Sequence, residues 1–260
     1  MGPHGNRGAP LRALVASGIA ELRPDPARPR GWTLLVNGVP QSYVDLADPG
    51  HLEFPYEIQL GAVLRLWTGT AVREKILHLG GGGLTLPRFI DHLRPGAEQL
   101  VVERDPQILA MVERNLPFPG SIEVRLGDAR TELAKAGNAE YGLIVSDVFV
   151  GAAMPESVAA AGFARDARRA LRDDGLLAMN LTDVPPLART RIQVATARTA
   201  FDEIVLYGDA DVLRGRRVGN VILLAGNVPM IKAGKHETVL RADELRIFTG
   251  GARPLLDEPR

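Results

Sequence analysis

Lys75-Ile76-Leu77-His78-Leu79-Gly80-Gly81-Gly82-Gly83-Leu84-Thr85-Leu86-Pro87-Arg88 is the stretch whose reading decides the fold. Its apolar start predicts a buried parallel strand, and Thr85 onward predicts a helix. The four glycines between them predict a tight turn. Without Cβ atoms, such a turn lets the backbone adopt positive φ and approach a ligand closely. The next apolar run, Gln99-Leu100-Val101-Val102, closes on Glu103. That spacing suits a carboxylate that grips a ribose diol. A nucleoside-bearing cosubstrate is the expectation.

Working outward, strands and helices alternate from Lys75. Strands are expected at 75–79, 98–103, 121–126, 140–146, 175–181, 202–208 and 217–225, and helices at 85–94, 106–115, 129–136, 156–172 and 186–200. Alternation of this kind implies an α/β protein with a mainly parallel sheet. The short turn Asp209 to Arg216 forces its last two strands antiparallel. Seven strands with an antiparallel last strand describe a methyltransferase-type Rossmann fold. Ahead of it, Trp32-Thr33-Leu34-Leu35-Val36, the turn Asn37-Gly38 and Val39 to Val44 predict a small antiparallel β unit. The expected organisation is a disordered tail plus hairpin unit over 1–48, the Rossmann domain over 49–230 and a C-terminal tail over 231–260. A helix is expected over 56–70.

Bulk composition narrows the function. The 260 residues contain no cysteine, which excludes disulfides, thiolate metal sites and cysteine nucleophiles. With 31 basic and 31 acidic residues, bulk charge does not suit nucleic-acid binding. No apolar run reaches the ~20 residues of a membrane span. Residues 1–13 carry Arg7 and Arg12 but no apolar stretch long enough for a signal peptide, so a cytoplasmic protein is expected. No metal and no membrane partner are expected.

Ligands of doubly wound sheets sit beyond the carboxyl ends of the strands. Four successive ends carry suitable groups: Gly80 to Gly83, Glu103, Gly127-Asp128-Ala129 and Ser146-Asp147. Each has a plain structural reading too. Asp128 can cap the helix that follows it, and Asp147 can cap a turn. Their placement at consecutive strand ends favours a ligand site.

Leu34-Leu35-Val36-Asn37-Gly38-Val39-Pro40-Gln41-Ser42 resembles the Leu-x-Leu-Asp-Gly-x-x-Gln segment of spermidine synthases. The glycine run, Val102-Glu103, Gly127-Asp128-Ala129 and Asp147 follow in that family's order. The resemblance spans about residues 18–226. It implies that Gln41, Gly80, Gly82, Glu103, Asp128 and Ala129 bind decarboxylated S-adenosylmethionine or a close relative. Gly81, Gly83 and Arg104 complete the expected cofactor-binding set. Asp147 is implied to be the acid beside an attacking amine, and a homodimer is expected by analogy; an amine must lose its proton to attack, and Asp147 is expected to accept or orient that proton with help from Tyr56 or Tyr207.

Three departures bear on the substrate. Gly83 stands where the family has an aspartate that helps hold the aminopropyl ammonium. Val150 and Gly151 replace an Asp-Pro pair after Asp147, and Tyr56-Glu57 matches a Tyr-His-Glu element in part. The glycine turn is expected to suit the carboxylate of intact S-adenosylmethionine, with Arg88 as a weaker candidate for the same role. The apolar wall Val148 to Pro155 points to an acceptor less charged than a diamine. The expected function is a spermidine synthase-like transferase using S-adenosylmethionine or its decarboxylated form on a small-molecule acceptor other than putrescine. The alternatives are a true aminopropyltransferase, with Asp183, Asp209 or Asp211 replacing the lost acids, and an inactive nucleoside-binding relative.

Overall fold

The computed structural model describes residues 9–69, 74–149 and 154–257. The expected disordered stretch at the N-terminus lies mostly outside these residues, as do Val150 to Ala153. Strands β1 (Leu11–Val15), β2 (Gly18–Pro24), β3 (Gly31–Val36) and β4 (Val39–Asp45) form an antiparallel sheet in that order. Asn37 and Gly38 both have positive φ, as the β3–β4 turn requires. Helix α1 (Pro55–Leu66) leads into β5 (Lys75–Leu79), α2 (Thr85–Leu93), β6 (Glu98–Glu103), α3 (Pro106–Asn115), β7 (Ile122–Leu126), α4 (Ala129–Lys135) and β8 (Tyr141–Ser146). There follow α5 (Glu156–Ala159), α6 (Ala161–Ala170), β9 (Leu171–Asp183), α7 (Ala188–Ala197), β10 (Ile204–Asp209), α8 (Ala210–Leu213), β11 (Gly219–Gly226), β12 (Glu237–Leu240) and α9 (Ala242–Thr249).

The large sheet has the order β12-β10-β11-β9-β8-β5-β6-β7. Strands β7, β6, β5, β8 and β9 are parallel, and β11 enters antiparallel between β9 and β10. The central strands are apolar on both faces. Ile76, Leu143, Val145, Leu176 and Ala178 face α1 and α2. Their neighbours Leu77, Leu79, Ile144, Leu177 and Met179 pack on the other face with α4, α6 and α7. This period of two, buried on both sides, is the mark of a parallel sheet under two helical layers. Each such Leu or Ile contributes about 1.5–3 kcal/mol by leaving water.

The small sheet shares its core with the large one. Ala20, Leu22, Leu34 and Val44 pack with Met111, Val112 and Leu116 of the α3 region and with Val101 of β6. That packing lays β4 against the glycine turn.

Three expectations are corrected. The sheet has eight strands rather than seven, because Glu237–Leu240 pairs antiparallel with β10. In the stretch read as a C-terminal tail, α9 also buries Leu245 and Phe248 in the main core. A four-residue edge strand has too short an alternation to show in sequence. The helix expected over 156–172 breaks at Ala160, whose backbone is extended. Ala161 donates its N–H to the Leu255 carbonyl at 2.8 Å, so a tertiary bond overrides the helix propensity of the alanine run. No helix among the described residues is long and apolar enough to cross a membrane.

Candidate active site

The strand order brings Asp128, Glu103, the glycines, Asp147 and Asn180 into one row along the carboxyl edge of β7, β6, β5, β8 and β9. Gly80 is at φ +94°, and a Cβ there would lie 2.3 Å from the Asp147 carbonyl oxygen. The turn and the β8 end therefore touch backbone to backbone. Gly80→Ala is expected to destabilise the protein by more than about 1 kcal/mol from backbone strain alone. The overlap with Asp147 adds to this, and thermal unfolding measures the sum.

Glu103 holds the turn. Its Oε2 accepts from the Gly81 and Gly82 N–H groups, both at 3.1 Å, and its Oε1 accepts from Asp105 N–H at 2.8 Å. A carboxylate oxygen has two acceptor sites, so Oε2 is filled and one site on Oε1 remains for a ribose hydroxyl. The Gly83 N–H donates to Ser42 Oγ at 3.0 Å. The glycine amides expected to receive a cosubstrate carboxylate are thus already bonded within the protein.

The Gly83 position is also tight for a larger residue. A Cβ there would meet Ser42 Cβ at 3.0 Å and Val44 Cγ2 at 3.2 Å. Packing from β4 lies over this position. Gln41, one residue earlier, bonds the Val39 carbonyl of its own hairpin at 3.3 Å, so Ser42 is the β4 side chain that reaches the turn.

Asp128 is exposed and caps α4, with its Oδ1 accepting from Thr131 N–H at 2.9 Å and Thr131 Oγ1 at 3.0 Å. Ala129 is buried beside it and Arg104 is exposed. Arg88 is buried and not free to meet a cosubstrate carboxylate. It donates to the carbonyls of Leu116 and Pro117, at 2.6 and 2.7 Å, and of Gly83 at 3.3 Å. Burial lowers its pKa to about 10. It ties α2 to the end of α3 and is committed there.

Asp147 lies at the centre of a side-chain chain. Its Oδ2 accepts from the Tyr56 hydroxyl at 3.1 Å and its Oδ1 from Asn180 Nδ2 at 2.8 Å. Asn220 donates through one amide to Asn180 Oδ1 and Thr182 Oγ1, both at 2.9 Å. Burial pushes the Asp147 carboxyl above its usual range, and the bonds from Asn180 and Tyr56 pull it back. Burial likewise raises the Tyr56 phenol, so it is a donor at neutral pH.

Glu57, Asn180 and Asn220 were missed as site residues. Glu57 is 1% exposed, and its Oε2 accepts from the Phe54 N–H at 3.2 Å. It also meets the Tyr56 hydroxyl and Thr85. Burial raises its pKa to about 8, and the charge of Asp147 adds to the rise. The acids expected as replacements are engaged elsewhere. Asp183 accepts from Val184 N–H and from Thr190; Asp209 caps α8 and pairs with Arg217; Asp211 pairs with Arg216. Tyr207 is buried on β10 and interacts with Glu237.

No protein-family model matches the chain. A polyamine aminopropyltransferase of Vibrio vulnificus is 31% identical over 134 residues, covering 50% of this chain and 44% of the relative. One from Neisseria meningitidis is 30% identical over 150 residues, covering 54% and 53%. The chain therefore spans about half the length of the curated relatives it matches. A crystal structure of a probable spermidine synthase from Corynebacterium glutamicum superposes with a TM-score of 0.89 at 25% identity, covering 97% of this chain and 98% of that one. Human methyltransferase-like protein 13 shares the fold at a TM-score of 0.56 and 21% identity, covering 76% and 90%.

The sheet and its row of strand-end groups define a methyltransferase-type Rossmann protein with a small antiparallel sheet ahead of it. Within that class the chain is spermidine synthase-like.

Proposed function

We propose that the chain is a transferase that binds an adenosyl-sulfonium cosubstrate, S-adenosylmethionine or its decarboxylated form, and moves an alkyl group to a small amine other than putrescine. The observation that carries this reading is Asp147, clamped between Tyr56 and Asn180 and packed against the Gly80 turn. A carboxylate so held takes or orients the proton of an attacking amine. Glu103 would hold a ribose hydroxyl through its remaining acceptor site on Oε1. Asp128, beyond its capping oxygen, and the backbone at Ala129 would meet the adenine. The cosubstrate supplies a carbon on sulfonium and a neutral thioether as leaving group, so the protein's share is alignment and proton handling.

The donor set fits this ligand in part. The glycine amides are bonded to Glu103 and Ser42, which leaves the amino-acid end of intact S-adenosylmethionine without those donors. This favours the decarboxylated form more than the glycine-rich sequence does. The buried Glu57 beside Asp147 supports an amine as nucleophile. The lack of an acid at Gly83 weighs against the aminopropyl ammonium of the decarboxylated form, and putrescine remains disfavoured because Val150 and Gly151 stand where the family has an Asp-Pro pair after Asp147.

Calorimetry with S-adenosylmethionine, its decarboxylated form and methylthioadenosine tests the reading. Methylthioadenosine is expected to bind, and Glu103→Ala to weaken it at least tenfold, the scale of one charge-assisted hydrogen bond of about 1.5–3 kcal/mol. If all three ligands fail to bind, the reading is wrong.

A further inference from the structure

A cleft of about 460 Å³ lies between the small sheet and the Rossmann domain, within the roughly 300–1,000 Å³ of small-molecule sites. Its walls include the β2–β3 turn at Arg30, Leu46 just past β4, the last turn of α2 at His92 and the α3–β7 loop at Phe118. The end of α2 and that loop each precede a parallel strand. The cleft is therefore at the amino edge of the sheet, away from Glu103, Asp128 and Asp147 at the carboxyl edge. Arg88 lines it as a buried cation. Its three bonds go to the carbonyls of Gly83, Leu116 and Pro117 and hold it on this side of α2. A guanidinium carries five N–H groups, so two remain. Among the described residues no carboxylate pairs with it, and desolvation lowers its pKa with no acid acting against it. Two acids also line the cleft, but both are already bonded. Asp45 accepts from Arg28 at 2.7 Å and from Ala47 N–H at 2.8 Å, and Asp91 accepts from Ser121 Oγ. Leu46, several prolines and the Phe118 ring, 5.7 Å from the Arg88 guanidinium, make an apolar wall.

A buried guanidinium without a counter-charge is unfavourable, and a carboxylate meets its paired N–H groups with two oxygens. We propose that this cleft is a binding site for a small monocarboxylate with an apolar, ring-sized body. The acid group accepts from the two remaining N–H groups of Arg88, and the exposed Arg30 adds a second cation from the facing wall. The body packs on Phe118, Leu46 and the prolines. A second acid group on the ligand would meet Asp45 and Asp91, which restricts the ligand to one. The site stands apart from the transfer reaction and does not depend on it. Through its bond to the Gly83 carbonyl, Arg88 links the cleft to the glycine turn.

The test is calorimetry of the full chain with 2-naphthoate and, as a neutral analogue of the same shape, 2-naphthamide. One molecule of 2-naphthoate per chain is expected to bind. The amide is expected to bind about tenfold more weakly, the scale of one charge-assisted hydrogen bond. Arg30→Glu changes an exposed side chain and leaves the core intact. It is expected to weaken 2-naphthoate by about tenfold, through charge reversal beside the ligand, and to leave 2-naphthamide binding unaltered. Backbone amide NMR shifts on adding 2-naphthoate are expected at Leu46, His92 and Phe118 and not at Asp128 or Asp147. No binding of 2-naphthoate, equal affinity for the amide, affinity unchanged in Arg30→Glu, or shifts centred on Asp128 and Asp147 would each overturn the proposal.

Discussion

Asp147→Asn is expected to lower the rate of group transfer by about 10²–10⁴, the range removed with a positioned general base. The change is nearly isosteric, but it exchanges an acceptor oxygen for a donor amide. Tyr56 and Asn180 both donate to Asp147, and the variant keeps one acceptor oxygen, so the Tyr56 bond must reverse or one of the two be lost. Methylthioadenosine binding should be unchanged, because the proposed ribose and adenine contacts belong to β6 and β7. A rate loss confined to turnover marks Asp147 as acting on the nucleophile. Equal losses in turnover and nucleoside affinity would place it in cosubstrate binding instead.

Glu57→Gln is expected to stabilise the free protein while impairing function. Glu57 titrates near pH 8 when folded, against the usual 4.5 of an exposed glutamate. Below pH 4.5 it is protonated in both states and costs nothing. Between pH 4.5 and 8 the unfolded chain releases the proton and the folded chain keeps it. Stability therefore falls as pH rises, by about 1.4 kcal/mol per pH unit from this group. Glutamine keeps the oxygen that accepts from Phe54 N–H and has no charge to desolvate. Buried His78, bonded to Gln99 at 2.9 Å with its pKa lowered to about 4, acts in the opposite direction between pH 6.5 and 4. It is common to both proteins, so the difference between them isolates Glu57. Denaturant melts from pH 5 to 8 should show the gap widening in favour of the variant. A constant gap would mean that Glu57 is ionised in the folded protein.

The order of strands and helices was legible because their periods differ and the glycine run punctuates them. That Asp147, Glu103 and the glycines share one sheet edge was legible because each ends an apolar run. Glu57 had a local signal that was passed over. It lies on the stripe of α1 that continues through Leu60 and Leu64, where an acid must be buried. Asn180 had the same kind of signal, a lone amide within Leu176 to Leu181 of a central strand. Its partner Asp147 is 33 residues away, and the link needs the β8–β9 register to become visible. The fates of Arg88 and Gly83 were beyond reach, because both depend on tertiary packing. The end of α3 takes the guanidinium, and Ser42 of a separate sheet fills the space over the glycine.

The account stands most directly on the products of turnover. The protein should be incubated with a primary amine and, separately, with S-adenosylmethionine or its decarboxylated form, and the mixture read by mass spectrometry. The account predicts a nucleoside thioether and an alkylated amine in equal amounts with one of the two cosubstrates, greatly reduced in Asp147→Asn. Thioether formation no faster than in the Asp147→Asn control, with either cosubstrate, would contradict it.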